Sequence, residues 1–153
     1  MTATQRYTLL IIDDAAADRA FYRHCLDQDI QRHYNIIETG RAEAALSLWQ
    51  QEQPDLVLLD YSLPDMDGVS LLKRLVAQPH GPCSIVMITG QGNEAIAVQA
   101  LKAGAQDYLC KDSITPEQLR HAIGQALNHN QLLQKIQQAT AQLQAAEAAL
   151  RSD

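Results

Sequence analysis

The sequence has little of what marks several protein classes. Its three cysteines, Cys25, Cys83 and Cys110, are odd in number, widely spaced and without a Cys-x-x-Cys pair, so neither a disulfide framework nor a zinc site is expected and the thiols read as reduced and partly buried. Long hydrophobic runs are missing: Leu9 to Ile12, Leu56 to Leu59 and Ile85 to Ile88 each hold four residues. That is the length of a buried strand and far below the roughly 20 apolar residues that cross a bilayer. No basic, apolar and small-residue succession opens the chain, since Met1 to Gln5 is largely polar, so export is not expected and a cytoplasmic location is. Basic residues are in deficit, 12 Lys and Arg against 18 Asp and Glu for a formal charge of -6, and no cluster of them falls on one face. Phosphate neutralisation needs a basic footprint, so direct nucleic-acid binding is not expected. The five histidines, His24, His33, His80, His121 and His129, lack ligand spacing, which assigns them to surface or packing roles.

What is present is a regular alternation. At 153 residues and 46% hydrophobic content the chain is the size of one globular domain. Short runs rich in Ile, Val and Leu alternate five times with segments of helical spacing, the pattern of a parallel sheet covered by helices. The strands are expected at Tyr7 to Ile12, Tyr34 to Glu38, Asp55 to Leu59, Ser84 to Thr89 and Gln106 to Cys110, with Asn35 interrupting the second. Helices are expected at Ala15 to Asp27, Arg41 to Gln51, Gly68 to Ala77 and Glu94 to Lys102, where apolar residues recur three or four apart, as in Leu71, Leu72, Leu75 and Val76. The fifth helix has a marked start: Thr115 caps, Pro116 takes the first helical position and Gln118 completes a capping box.

From Gln125 to Asp153 there is no Gly or Pro, and past Leu127 the composition turns to Gln, Ala and Leu. Helix five is therefore expected to run on beyond the globular body. Leu132, Ile136, Ala139, Leu143, Ala146 and Leu150 alternate in steps of four and three, which fits the core positions of a heptad for under three heptads. A paired coiled coil and a solvated Ala/Gln helix formed by propensity alone both satisfy this pattern.

The informative side chains fall at strand ends. Asp13 and Asp14 close the first strand, Asp60 the third and Thr89 the fourth, and Lys111 follows the fifth. An open parallel sheet places its ligand crevice at the carboxyl ends of its strands, so these distant residues converge on one edge. Two unit charges about 4 Å apart repel by on the order of 4 kcal/mol at an effective dielectric of about 20, so three gathered carboxylates call for a cation. Lys111 is one point charge and cannot neutralise three. A hard divalent ion with oxygen ligands offsets the repulsion and keeps positions open for water and phosphate; magnesium fits. Such a pocket suits a phosphoryl group, with its central acid as nucleophile. In-line attack by a carboxylate needs little acid or base help, because positioning and charge stabilisation dominate. Asp60 is the best placed attacker, Thr89 can hydrogen-bond a phosphoryl oxygen, and Gly90 leaves room for a donor.

As an ordered set these residues resemble the receiver domain of two-component response regulators. The resemblance covers about Tyr7 to Leu127 and runs through Ile11-Ile12-Asp13-Asp14, the stretch Asp60-x-x-Leu-Pro-Asp-Met-Asp-Gly68, Ile88-Thr89-Gly90, and Lys102-Ala103-Gly104-Ala105-Gln106-Asp107-Tyr108-Leu109-Cys110-Lys111. It implies a flavodoxin-like five-stranded parallel sheet of order 2-1-3-4-5, with helices on both faces. It implies that Asp60 is the phosphoacceptor, Asp14 a direct magnesium ligand, Asp13 a ligand through water, and the backbone carbonyl of Ser62 a further ligand. Thr89 becomes the switch hydroxyl, Lys111 the phosphate-binding cation and Tyr108 the aromatic switch, although half-buried packing with a wet hydroxyl equally accounts for a tyrosine there. The donor implied is a phosphohistidine on a histidine kinase or histidine phosphotransfer protein. Receivers usually follow the lysine with proline, often through a cis bond, whereas Asp112 stands here, so the loop into helix five need not follow the family's path.

Two rivals share part of the pattern. A phosphohydrolase with an aspartate nucleophile combines the same residue types, but there the nucleophilic strand comes first and the acidic pair last, the reverse of the order here. A dinucleotide-binding domain is suggested by Gly90-Gln91-Gly92-Asn93-Glu94-Ala95, yet that fingerprint belongs to the first strand-turn-helix of its sheet and here falls in the fourth. The expected function is therefore magnesium-dependent phosphorelay without enzymatic turnover, in a receiver spanning 1–127. Residues 128–153 form the extended helix. Nothing after Lys111 resembles a helix-turn-helix, a kinase or a cyclase, so the output is expected through a partner, through a homodimer of Leu132 to Leu150, or through a module joined beyond the uncapped Arg151-Ser152-Asp153.

Overall fold

The computed structural model describes residues 5–90 and 94–151. Gln91, Gly92 and Asn93 of the Gly-x-Gly run, Met1 to Thr4 of the opening segment, and Ser152 and Asp153 lie outside the described residues. Five strands, β1 (Gln5–Ile12), β2 (Arg32–Thr39), β3 (Leu56–Asp60), β4 (Ser84–Thr89) and β5 (Asp107–Cys110), alternate with five helices, α1 (Ala16–Asp27), α2 (Ala42–Glu52), α3 (Gly68–Ala77), α4 (Glu94–Ala103) and α5 (Pro116–Arg151). The strands pair in parallel in the order β2-β1-β3-β4-β5. The parallel sheet thus agrees with the sequence pattern, and the strand order with the one the family resemblance implies. The second strand runs longer than expected because Asn35, which is exposed, sits on an edge strand where one face tolerates a polar residue.

Side chains of a strand alternate between faces, and this alternation divides the core in two. Leu9, Ile11, Leu56, Leu58, Val86 and Ile88 pack against Tyr22, Cys25 and Leu26 of α1 and Leu119, Ile123, Ala126 and Leu127 of α5. Leu10, Ile12, Val57, Leu59, Ile85 and Met87 pack against α2, α3 and α4 through Trp49, Leu71, Leu72, Leu75 and Ala100. β3 and β4 are buried along their whole length, as strands covered on both faces must be. His80 stacks on Trp49 with ring centroids 3.8 Å apart, a packing role.

Local signals set the element ends. The capping box is closed reciprocally: Gln118 N donates to Thr115 Oγ1 and Thr115 N to Gln118 Oε1, both at 3.1 Å. Gly104, at φ +120°, turns the chain out of α4, a backbone conformation that a Cβ disfavours. Beyond Asn130, α5 leaves the sheet. Its first four turns carry the buried Leu119, Ile123, Leu127 and Asn130, whose amide donates to the Asp55 carbonyl at 3.2 Å. Gln131 still donates to the Tyr7 hydroxyl at 2.7 Å, and from Leu132 on the helix is exposed, with Leu132, Ile136, Leu143 and Leu150 exposed by 58, 60, 66 and 81%. No helix among the described residues is long and apolar enough to cross a membrane.

Candidate functional site

Parallel register brings the strand ends level: Asp60 pairs with Ile88 and Thr89 with Cys110, while Ile12, one residue before Asp13, pairs with Leu59. β1 ends in the apolar run Leu9 to Ile12 just before Asp13, β3 is apolar up to Asp60 and β4 is apolar from Ile85 up to Thr89, so the first polar side chains of these three strands meet at one edge. Asp13, Asp60 and Thr89 are buried there, with only 1, 4 and 4% of their surface exposed. Asp13, Asp14 and Asp60 each bring a carboxylate oxygen to within 4.8 Å of the others. Asp14 is the exposed member. Hard oxygen donors at this separation form a set that can hold a divalent ion.

Lys111 reaches the same edge. Its Nζ lies 2.8 Å from Asp13 Oδ2, 2.8 Å from Asp18 Oδ2 and 3.2 Å from Asp60 Oδ2. The lysine therefore meets two of the three gathered carboxylates, and its third ion pair among the described residues is with Asp18 of α1. Burial and the neighbouring Asp13 carboxylate push Asp60 up to about 6 from its ordinary 3.8, against the pull of Lys111. Burial by itself disfavours the Lys111 ammonium, but hydrogen bonds to Asp13 and Asp18 outweigh it and hold the group well above the ordinary lysine range. Asp13 is further fixed by the Ala15 amide on Oδ1 at 2.9 Å and the buried Tyr22 hydroxyl on Oδ2 at 3.4 Å; burial raises the Tyr22 phenol far above its usual value, so it stays a donor.

The loop after Asp60 is pinned close beneath it. Ser62 N donates to Asp60 Oδ1 at 3.3 Å, and Gly68 N donates to the Tyr61 carbonyl at 2.6 Å. A Cβ at Gly68 would lie 2.6 Å from the Asp60 carbonyl oxygen and 2.7 Å from Tyr61 Cα, backbone atoms that have no room to yield. Glycine is thus required for this turn. Ser62 is exposed, and the contact it makes with Asp60 is through its amide. Asp65 and Asp67, acids of the same loop, are spent on helix starts: Asp65 accepts from Ala42 N and Glu43 N of α2 at 2.9 and 3.1 Å, and Asp67 from Ser70 N of α3 at 2.9 Å. Those bonds hold both carboxyls below the ordinary range, Asp65 chiefly through the Ala42 amide and Asp67 through Ser70 against its desolvation.

On the far side, Lys111 N donates to the Thr89 carbonyl at 2.8 Å and Ser113 N to the Cys110 carbonyl at 3.3 Å. With Asp112 in place of proline, this turn contains no cis peptide bond. Tyr108 is half-buried and packs against the α2–α4 side of the core. A Cβ at Gly90 would have nothing within 4 Å among the described residues. All of Asp13, Asp14, Asp60, Thr89 and Lys111 share the edge. Asp18 and Tyr22 were not singled out in the sequence; their spacing of four puts them on one stripe of α1, but nothing in that spacing says which strand end the stripe faces.

A family model described as the response regulator receiver domain matches residues 9–124. The chain belongs to that family. The receiver is 28% identical over 123 residues to the chemotaxis protein CheY of Bacillus subtilis, covering 80% of this chain and 98% of that protein. It is 35% identical over 131 residues to the cyclic di-GMP phosphodiesterase response regulator RpfG of Xanthomonas campestris pv. campestris, covering 85% of this chain and 34% of that protein. The receiver thus spans about a third of the second relative and nearly all of the first. The crystal structure of a CheY-like receiver domain protein from Methanospirillum hungatei superposes with a TM-score of 0.72 at 28% identity, over 82% of this chain and 96% of that one. The function is phosphorelay signal transduction, in which receiver domains accept phosphoryl groups from histidine kinases.

Proposed function

We propose that Asp60 is the phosphoacceptor, that Asp13, Asp14 and the backbone carbonyl of Ser62 complete a magnesium site with it, and that Thr89 and Lys111 receive the phosphoryl oxygens. The observation that supports this is a buried carboxylate at the end of β3 whose neighbours are two further carboxylates within 4.8 Å and an ammonium at 3.2 Å. An all-oxygen acidic set around a reacting acid fits a hard dication, which when bound supplies positive charge to offset that of the phosphoryl oxygens. Asp60 Oδ forms the new bond to phosphorus as the P–N bond of the donor's phosphohistidine breaks, its electron pair returning to the imidazole ring. Lys111 neutralises charge on the equatorial oxygens, and the buried walls of β1, β3 and β4 keep the pocket rigid. One phosphoryl group is held per cycle, with no sustained turnover, in a cytoplasmic receiver of residues 1–127 served by a histidine kinase or histidine phosphotransfer protein. Thr89, Lys111 and Tyr108 then move toward the added oxygens, changing the face of β4, α4 and β5. Incubation with acetyl phosphate and magnesium, read by intact mass, adds one phosphoryl group to the wild type and none to Asp60→Ala; equal labelling of both refutes the assignment.

A second element of the reading concerns the extension, residues 128–153. The exposed leucine and isoleucine stripe from Leu132 to Leu150 favours pairing over a bare propensity helix, since apolar side chains at heptad spacing leave water when two copies align. It serves as a parallel dimer seam or a connector to an output module.

A further inference from the structure

We propose that Asp18 is a positioning residue that holds the Lys111 ammonium on the α1 side of the pocket in the unmodified protein and releases it when Asp60 carries a phosphoryl group. This rests on the reading of Asp60 as the phosphoacceptor.

An ammonium has three N–H donors and no acceptor, and Lys111 spends all three on carboxylates. Asp13 and Asp18 are at 2.8 Å and Asp60 at 3.2 Å, so the group that is to be modified has the longest contact. The three acids differ in their access to water. Side chains of Asp13 and Asp60 are 1 and 4% exposed, whereas that of Asp18, in the first turn of α1, is 40% exposed. Abandoning Asp13 would leave a buried charge short of a partner, a strongly unfavourable step. Abandoning Asp18 costs little, because solvent hydrates the freed carboxylate. A phosphoryl group on Asp60 brings about two negative charges and three acceptor oxygens to the edge. The ammonium then turns from α1 to those oxygens, and the Asp18 contact is the one given up.

A contact made in one state and lost in the other shifts the equilibrium between them by its own free energy. Asp18 therefore opposes modification, and the resting lysine is parked against α1 instead of standing free over Asp60. Removing the carboxylate charge while keeping the shape releases that brake.

The test uses the full chain with magnesium and fluoroberyllate, the latter standing in for the phosphoryl group, with binding followed by fluorine NMR. Asp18→Asn is expected to bind about threefold to fivefold more tightly than wild type, the size of a partly exposed ion pair, with a slightly lower melting temperature in the absence of the mimic, because the resting fold loses that same contact. Unchanged or weaker binding overturns the proposal. A crystal structure of the wild-type complex supplies a second reading that does not depend on the variant: Lys111 Nζ is expected on a fluorine and beyond 4 Å from Asp18, and an ion pair kept at its present 2.8 Å overturns the proposal. If wild type neither binds fluoroberyllate nor takes label from acetyl phosphate, the assignment of Asp60 itself fails, a result separate from failure of the Asp18 contact alone.

Discussion

The two ends of this molecule break the usual partition of residues in opposite senses. At the carboxyl edge of the sheet charged groups are buried: Asp13 and Asp60 have almost no exposed surface. At the other end, along the second half of α5, apolar groups are exposed, from Leu132 to Leu150. Buried polar groups and exposed apolar patches are the departures that carry information about function. The edge is held against its own repulsion by β1, β3, β4 and Lys111. The extension is exposed from Leu132 to Arg151, and its contacts include local ones such as Thr140 Oγ1 to the Ile136 carbonyl and the exposed Glu147–Arg151 pair. Gathered carboxylates are a set that can hold a cation; exposed apolar side chains at heptad spacing suit a surface of like kind.

The sharpest way to break this comparison is to remove the cation that the chain itself supplies. Lys111→Met leaves Asp13 and Asp60 buried without their shared counter-charge, and should lower unfolding stability by about 3 kcal/mol in metal-free buffer, with part of the loss restored by millimolar magnesium. Denaturant unfolding with and without the metal measures this, and an unaltered midpoint in metal-free buffer would show the edge to be unstrained.

Next in size is the acid at the centre. Asp60 has a folded-state value near 6 against 3.8 ordinarily, so the folded protein binds that proton more tightly than the unfolded chain. Its contribution to stability therefore grows as pH falls through 6 toward 4 and is lost as pH rises through the same window. Asp60→Asn should stabilise the protein by about 2 kcal/mol above pH 7, an advantage that fades below about pH 4. Thermal melts across that range decide the sign; a destabilised variant at neutral pH would mean that the Lys111 contact outweighs the burial of the acid.

The smallest effect belongs to the extension. Leu143→Gln, at a position 66% exposed, should change the unfolding free energy of the receiver body by under about 0.5 kcal/mol while moving the sedimentation coefficient toward that of a monomer. A wild-type chain that sediments as a monomer at high concentration, with and without fluoroberyllate, would leave the stripe without a partner of its own kind.

Much of the edge was legible in the sequence because strand ends announce themselves. Leu56-Val57-Leu58-Leu59-Asp60 stops being apolar where the chain leaves the sheet, and the same holds at Ile12-Asp13 and Ile88-Thr89. The capping box at Thr115 was equally local, two residues three apart closing on each other. Asp18 and Tyr22 were invisible for the opposite reason: their partners, Lys111 and Asp13, are reached through the packing of α1 on β1 and α5, and no period along the chain encodes that approach. The acids of the Asp60 loop show the same limit. Asp65 and Asp67 look like further members of an acidic cluster until the starts of α2 and α3 are seen to claim them.

By itself the sequence determined which segments are strands and helices, that the sheet is parallel, and the set of side chains delivered to one edge, because hydrophobic period is a property of the chain; the strand order came from the family resemblance its motifs carry. Only the tertiary structure decided how charge is shared at that edge: that Lys111 leans on Asp18 as well as on Asp13 and Asp60, that Asp60 is raised toward neutrality, and that Gly68 folds the loop against it. Those outcomes depend on distances of a few ångströms between residues far apart in the chain, and on a dielectric that exists only once the walls around them are packed.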